Sequence, residues 1–364
     1  MRKKGRNLLC LLVVPIMATY CGGSDDGGGG SGPLALVVTT DYQSGALTLV
    51  GRDLVATKNI LTVHSDAVCR YDKITTRPYL ISRFGADAIE VLDAANFSVT
   101  KEYSTGSGSN PQDILPISAE RAYISLYAED SLKVVNPITG AELGTVDLSN
   151  YADSDGVPEA AWMEKANDKA FVALQRLSNF MPSDKSTLLV LEGATGKVLK
   201  EIVLSATNPF GKVRYNQKLG KLVLSEMGSY GAKDGGVELI DLAQLQAEGL
   251  VVDEEALGGD VQDAVVLDEN RGWAVVAVDA GAGASNTRVV AFNPKEGKVT
   301  ATLHQGSGFS HGLLELSPDG KQLWVTDRST TKPGLRIFDT ASGQELSSSP
   351  IDVGLPPFMV CFLD

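Results

Sequence analysis

The chain has 364 residues with 38 glycines and 15 prolines, and a mean hydropathy of +0.01, a loop-rich composition long enough to bury a large core. A net charge of −13 and a pI near 4.8 give a surface that repels phosphate backbones, which argues against nucleic acid as a partner. Sustained helical periodicity is missing; the best stretch, Leu242 to Gly249, is short, so helical architectures are set aside.

In chain order, the first element is an export signal rather than part of a fold. Met1 to Arg6 is basic, and Leu8 to Ala18 is apolar but too short to span a bilayer as a helix, the layout of a signal peptide over residues 1–20. Cys21 follows, and residues 21–33 continue as a flexible Gly/Ser/Asp-rich tether. A cysteine at such a junction resembles a bacterial lipoprotein. That resemblance implies lipidation of Cys21 and a membrane attachment through the lipid anchor alone. The glycine after the cysteine implies, by similarity to enterobacterial sorting, the outer membrane, on its periplasmic or surface side. Tyr20 departs from the small residue that normally precedes the cysteine, and ordinary cleavage with an incidental Cys21 is the competing reading.

From Leu34 onward one pattern returns seven times, about every 50 residues: a short apolar strand running into an acidic or amide turn. The copies read TLVGRDL, EVLDAAN, KVVNPITG, LVLEGATG, ELIDLAQ, VAFNPKEG and RIFDTASG. Each unit breaks into four strand-like runs of alternating or fully apolar patterning. Ser317-Pro-Asp-Gly320 reads as a turn between first and second strands, and Gly140, Gly196, Gly297 and Gly343 as the ends of third-to-fourth turns. The opening segment, Leu34 to Val63, lacks a first strand, whereas the final one, Pro357 to Leu363, has no strand after it. The two fragments complete one blade. The expectation is an all-β, seven-bladed β-propeller of four-stranded antiparallel blades over residues 34–364, its first blade closed by the C-terminal strand. Blades are numbered from this closing one.

Leu323-Trp-Val-Thr-Asp327, followed by the turn Asp339-Thr-Ala-Ser-Gly343, resembles the second-strand motif of the YVTN-type seven-bladed propeller repeat family, which includes surface-layer-like proteins. Ala122-Tyr-Ile-Ser-Leu126, Lys169-Ala-Phe-Val-Ala173 and Leu222-Val-Leu-Ser225 are degenerate copies. The resemblance spans residues 34–364 and implies the fold. It implies little about activity, because this fold carries hydrolases, oxidoreductases, lyases and binders.

Motifs for chemistry are sparse. His64, His304 and His311 have no metal-ligand spacing, and no nucleophile elbow, haem-attachment or phosphate-loop motif occurs in its required context. Asp153 and Asp155 flank a glycine turn but lack the later ligands of a calcium loop. Asp66, Asp113 and Asp263 occupy one first-strand position in three blades, with Glu159 one residue ahead of the slot in a fourth. Innermost strands line the central channel, so these carboxylates would converge there and recruit a divalent cation, the single cofactor the sequence suggests. Alternatively each accepts backbone N–H bonds from a neighbouring blade. Cys69 and Cys361 fall at equal register on the innermost strands of blades two and one. A disulfide would staple the ring, but equal register sets the side chains parallel rather than facing, which leaves two buried thiols as the other reading.

The loops break the symmetry. Second-to-third connections are short in blades two and three and longer in blades four to seven. Phe180, Met181 and Tyr230 lie at tips of these longer loops, and Phe210, Phe309 and His311 on adjoining fourth-to-first connections. Aromatic and methionine side chains at solvated tips suit recognition of a partner. The leading expectation is a non-enzymatic envelope binding protein that recognises a protein or glycan. A metal-dependent lactonase-like hydrolase with an axial carboxylate site, or a scaffold subunit of an envelope complex, are the alternatives.

Overall fold

A computed structural model of the protein describes residues 32–183, 185–281 and 284–364. The expected signal peptide, Cys21 and most of the tether lie outside the described residues.

Seven antiparallel blades form a propeller ring. Blade one orders its strands Pro357–Phe362, Pro33–Thr40, Gly45–Gly51 and Ala56–Val63, so the C-terminal strand is innermost. Blades two to six begin at Ala67, Pro111, Ala160, Arg214 and Asp260, each running from the innermost strand outward. Blade seven holds three strands, His311–Leu316, Gln322–Asp327 and Gly334–Asp339. Its outer strand, weak in sequence, is reduced to isolated bridges of Leu335 with Ile351 and Phe338 with Glu345. The Leu242–Gly249 stretch is no helix: Gln246–Asp253 is the outer strand of blade five. No helix among the described residues is long and apolar enough to cross a membrane.

Burial falls from the second strand outward, and the residue types follow it. Tyr79 to Ser82 in blade two are all buried, whereas the outer strand Val99–Ser104 carries exposed Thr100, Lys101 and Glu102. In blades two and four the charged outer strands, Val99–Ser104 and Val198–Val203, blunt the free edge of the sheet. The core lies between blades, where the faces of neighbouring sheets pack. Trp324, from the motif in blade seven, meets Phe362 of blade one edge-on, with ring centroids 5.1 Å apart.

The recurring acidic or amide residue has a local task. Asp93, Asn136, Asp241, Asn293 and Asp339 each turn a side-chain oxygen back onto N–H groups two or three residues ahead, which closes the third-to-fourth turn. The glycine that follows is needed twice over at Gly140: its φ is +71°, and a Cβ there would sit 2.3 Å from the Tyr103 ring of the preceding blade.

Ring closure is made by backbone pairing of Ala35 to Val38 with Phe362 to Met359, and extended by the Leu363 N–H on the Leu34 carbonyl at 3.0 Å. The Thr48 hydroxyl donates to the Val353 carbonyl at 2.8 Å, which ties blade one to blade seven. Cys69 and Cys361 are free thiols, not a disulfide, and both are buried in one core cluster. Their equal register on neighbouring innermost strands places them side by side.

Candidate functional site

In antiparallel blades the second-to-third and fourth-to-first connections fall on one face of the ring. There the expected aromatic tips stand in solvent: Phe180 is 87% exposed, Phe309 57%, Met181 52%, Tyr230 51% and Phe210 43%. Phe180 and Met181 belong to a small hairpin of blade four, Leu177–Ser178 paired with Met181–Pro182. Its two-residue turn puts Asn179 at φ 51° and Phe180 at φ 63°, the left-handed conformation of a primed hairpin turn. Asparagine suits that region and phenylalanine does not. The hairpin therefore holds a bulky ring outward at a backbone cost.

Tyr230 of blade five and Phe309 of the blade six-to-seven connection come together, with ring centroids 6.2 Å apart. The Tyr230 hydroxyl shares a hydrogen bond with the Ser285 hydroxyl of blade six. Three connections thus fix one aromatic pair. Beside it lies a cleft of about 530 Å³ lined by Tyr230, Lys233, Asp260, Asp279 and Ser285. Asp260 accepts the Gly231 N–H at 2.8 Å, and burial pushes its carboxyl above the ordinary range.

His311 does not belong to this surface. It is 4% exposed, with Nδ1 hydrogen-bonded to the Thr287 hydroxyl and Nε2 to His304 Nδ1, both at 2.8 Å. Burial, helped by the neighbouring His304, brings its pKa down to about 4, so it is neutral and braces the connection that carries Phe309. The two histidines flank one turn, seven residues apart, a pairing with no signature in sequence.

The axial carboxylates do not meet. Asp113 is gripped by Arg70 of the preceding blade at 2.8 and 2.6 Å, and it accepts the Met163 N–H of the following blade at 3.0 Å. Asp263 repeats the arrangement three blades on, with Arg214 at 2.7 Å on both oxygens and the Leu314 N–H at 2.9 Å. The same arginines also reach the carbonyls of Met163 and Leu314, each at 2.6 Å. Each Arg–Asp pair therefore laces three consecutive blades. Asp66 pairs with Arg83 of its own blade. Among the described residues no group of three His, Cys, Asp or Glu side chains is placed to hold a metal ion. The expected cation-recruiting convergence gives way to arginine pairs, whereas the alternative, a carboxylate accepting backbone N–H bonds from a neighbouring blade, is met at Asp113 and Asp263.

Glu159 sits apart from these. It adopts φ 45°, accepts the Leu177 N–H at 2.8 Å and is pushed up to about 7 by burial. With Tyr127, Asp155, Asn179 and Phe180 it lines a cavity of about 270 Å³ under the hairpin. Asp153 and Asp155 shape the adjoining loop by accepting N–H bonds two residues ahead, and Asp153 also accepts the Ser183 hydroxyl. Arg70, Glu164, Lys212, Arg214 and Glu315, all on first strands or just ahead of one, were not singled out in sequence. Their signal is a charge inside an innermost run that otherwise reads as apolar.

No family model matches the chain. No curated protein matches it either. Among solved structures, the chain is similar to a putative 6-phosphogluconolactonase from Bacteroides fragilis, with a TM-score of 0.64 and 14% identity over 93% of this chain and 100% of that one. A hydrazine synthase structure from Kuenenia stuttgartiensis gives 0.59 and 16% over 76% and 78%. A functionally unknown protein from Desulfotomaculum acetoxidans gives 0.59 and 12% over 91% and 99%. At these identities the likeness is one of fold.

Proposed function

We propose that this propeller is a non-enzymatic binding lipoprotein of the cell envelope, lipidated at Cys21 and held at the outer membrane. It recognises a protein or glycan partner through the connections of blades four to seven, as a divergent relative of the YVTN-type repeat family. The observation that carries the reading is the set of exposed rings on one face, with Tyr230 and Phe309 packed together and pinned by Ser285. Large apolar side chains kept in solvent at fixed positions serve recognition better than stability.

The path of the chain supports the orientation. Pro33 begins the second strand of blade one, and second strands start on the face opposite the aromatic loops. A tether ending there directs those loops away from the anchor.

Capture from envelope extract and a glycan array, each run with wild type and with a Phe180→Ala, Met181→Ala, Tyr230→Ala variant, tests the reading. Partners lost in the variant at unchanged folding are expected. An identical partner list from both proteins overturns it. The competing hydrolase reading draws on Glu159, whose pKa near 7 suits proton transfer beside Tyr127. Turnover of a lactone panel that disappears in Glu159→Gln would favour the enzyme.

A further inference from the structure

We propose that the partner is a glycan, and that the cleft between blades five and six seats one of its neutral pyranose units. This narrows the recognition reading above and rests on it. The cleft encloses about 530 Å³ on the aromatic face, and its charged lining is Lys233, Asp260 and Asp279. Gly231, Gly258 and Gly259 add backbone to the wall but no side chain.

A ring and two fixed carboxylates meet here. The Tyr230 hydroxyl is taken by Ser285, so what Tyr230 offers a ligand is its half-exposed ring, braced by Phe309. Asp260 is buried and accepts the Gly231 N–H at 2.8 Å, with the Lys233 N–H as a second donor. Asp279 is exposed, and its Oδ1 accepts the Gly281 N–H at 2.7 Å. Each carboxylate has lone pairs beyond those bonds. The loop that carries Tyr230 is itself tied down, with the Ser229 N–H on Asp234 at 2.7 Å. A site held this way loses little entropy when a ligand enters.

The chemistry of the cleft selects the ligand. A pyranose has an apolar C–H face to cover a ring, and rim hydroxyls to donate to carboxylates, which are strong acceptors. The field is negative: Lys233 is paired with Glu255 at 3.5 Å, Asp234 pushes the Asp260 carboxyl up further, and Asp260 does the same to Glu254. A sugar acid or a phosphate is repelled by it. An ammonium group would answer the charge but leave the Tyr230 ring uncovered. A hard cation needs several oxygens at once, and among the described residues no three acidic, His or Cys side chains are placed to hold one.

An array of neutral, acidic and amino glycans, probed with wild type, Asp260→Asn and Asp279→Asn, tests the assignment, with folding checked by circular dichroism. Retention of neutral glycans is expected, weakened at least about tenfold in Asp260→Asn and less in Asp279→Asn. If Asp260→Asn does not fold, the exposed Asp279 position decides. An empty array, retention of acidic glycans alone, displacement of the glycan by lysine amide, or unchanged affinity in the folded variants each overturns it. As a test without any variant, a crystal of the wild type with a retained oligosaccharide should show a sugar ring against Tyr230 in this cleft; a sugar bound elsewhere contradicts the proposal. Envelope capture separates the two readings. Protein partners that depend on Phe180, Met181 and Tyr230, together with an empty array, sink the glycan and leave the recognition surface standing. Partners and glycans kept alike by that triple variant sink both.

Discussion

At the scale of single residues, two side chains are held against their own preference. Phe180 occupies a left-handed turn that costs a non-glycine residue about 1–2 kcal/mol. Phe180→Gly relieves that cost but adds about 0.5–1 kcal/mol of unfolded-state entropy, so the melting temperature should hold within a few degrees. Partner capture should fall as far as in Phe180→Ala; undiminished capture would mean the ring is not a contact. Glu226 is fully buried, accepts the Ala206 N–H at 2.6 Å and faces Glu238, itself fully buried. Burial and the neighbouring acid push the Glu226 carboxyl well up. The folded form thus keeps a proton that the unfolded form releases above about pH 4.3. This contribution is complete below the unfolded value and is lost as pH rises through the folded one. Glu226→Gln should therefore melt a few degrees higher than wild type at pH 8, with the gap closing toward pH 4. A gap that widens on acidification would refute it.

At the scale of elements, the Arg–Asp lacing is the feature that was half legible in the sequence: the inter-blade N–H bonds to Asp113 and Asp263 were among its readings, the arginines were not. The shared register of Asp66, Asp113 and Asp263 was legible, because a first-strand position repeats with the blade period. Their partners were not. Arg70 and Asp113 stand 43 residues apart on different sheets, and no local periodicity records which guanidinium a carboxylate will meet. His304 and His311 escaped for the opposite reason: they are close in sequence, but only the bend of the connection between blades six and seven turns one ring onto the other. Most strands and their turns were readable, since alternation and turn chemistry are local; Leu242–Gly249 was the exception, where an apolar spacing compatible with a helix runs into the outer strand Gln246–Asp253. Removing a lace leaves a buried guanidinium without its counter-charge. Asp113→Ala should cost about 3–5 kcal/mol in denaturant unfolding, and Asp66→Ala, whose carboxylate is a third exposed, less than about 1 kcal/mol. Equal losses at the two positions would show that the lacing carries no special weight.

At the scale of the whole molecule, ring closure rests on a single strand. Deleting residues 357–364 removes the innermost strand of blade one and uncovers the Val37 and Leu36 backbone that pairs with it. The truncated chain should lose its single cooperative melting transition, measured by calorimetry; a shortened protein that melts as wild type would place the closure elsewhere. The same blade has a mechanical consequence. A pull on residue 32 does not reach a terminal flap. It loads Pro33–Thr40, which is hydrogen-bonded along both edges, to Gly45–Gly51 on one side and to the closing strand on the other. The two ladders resist as shear, with many bonds strained together, rather than peeling one at a time. Drag on the ring would enter the fold where it is hardest to open, and the strand that completes the circle is also the one that bears the traction.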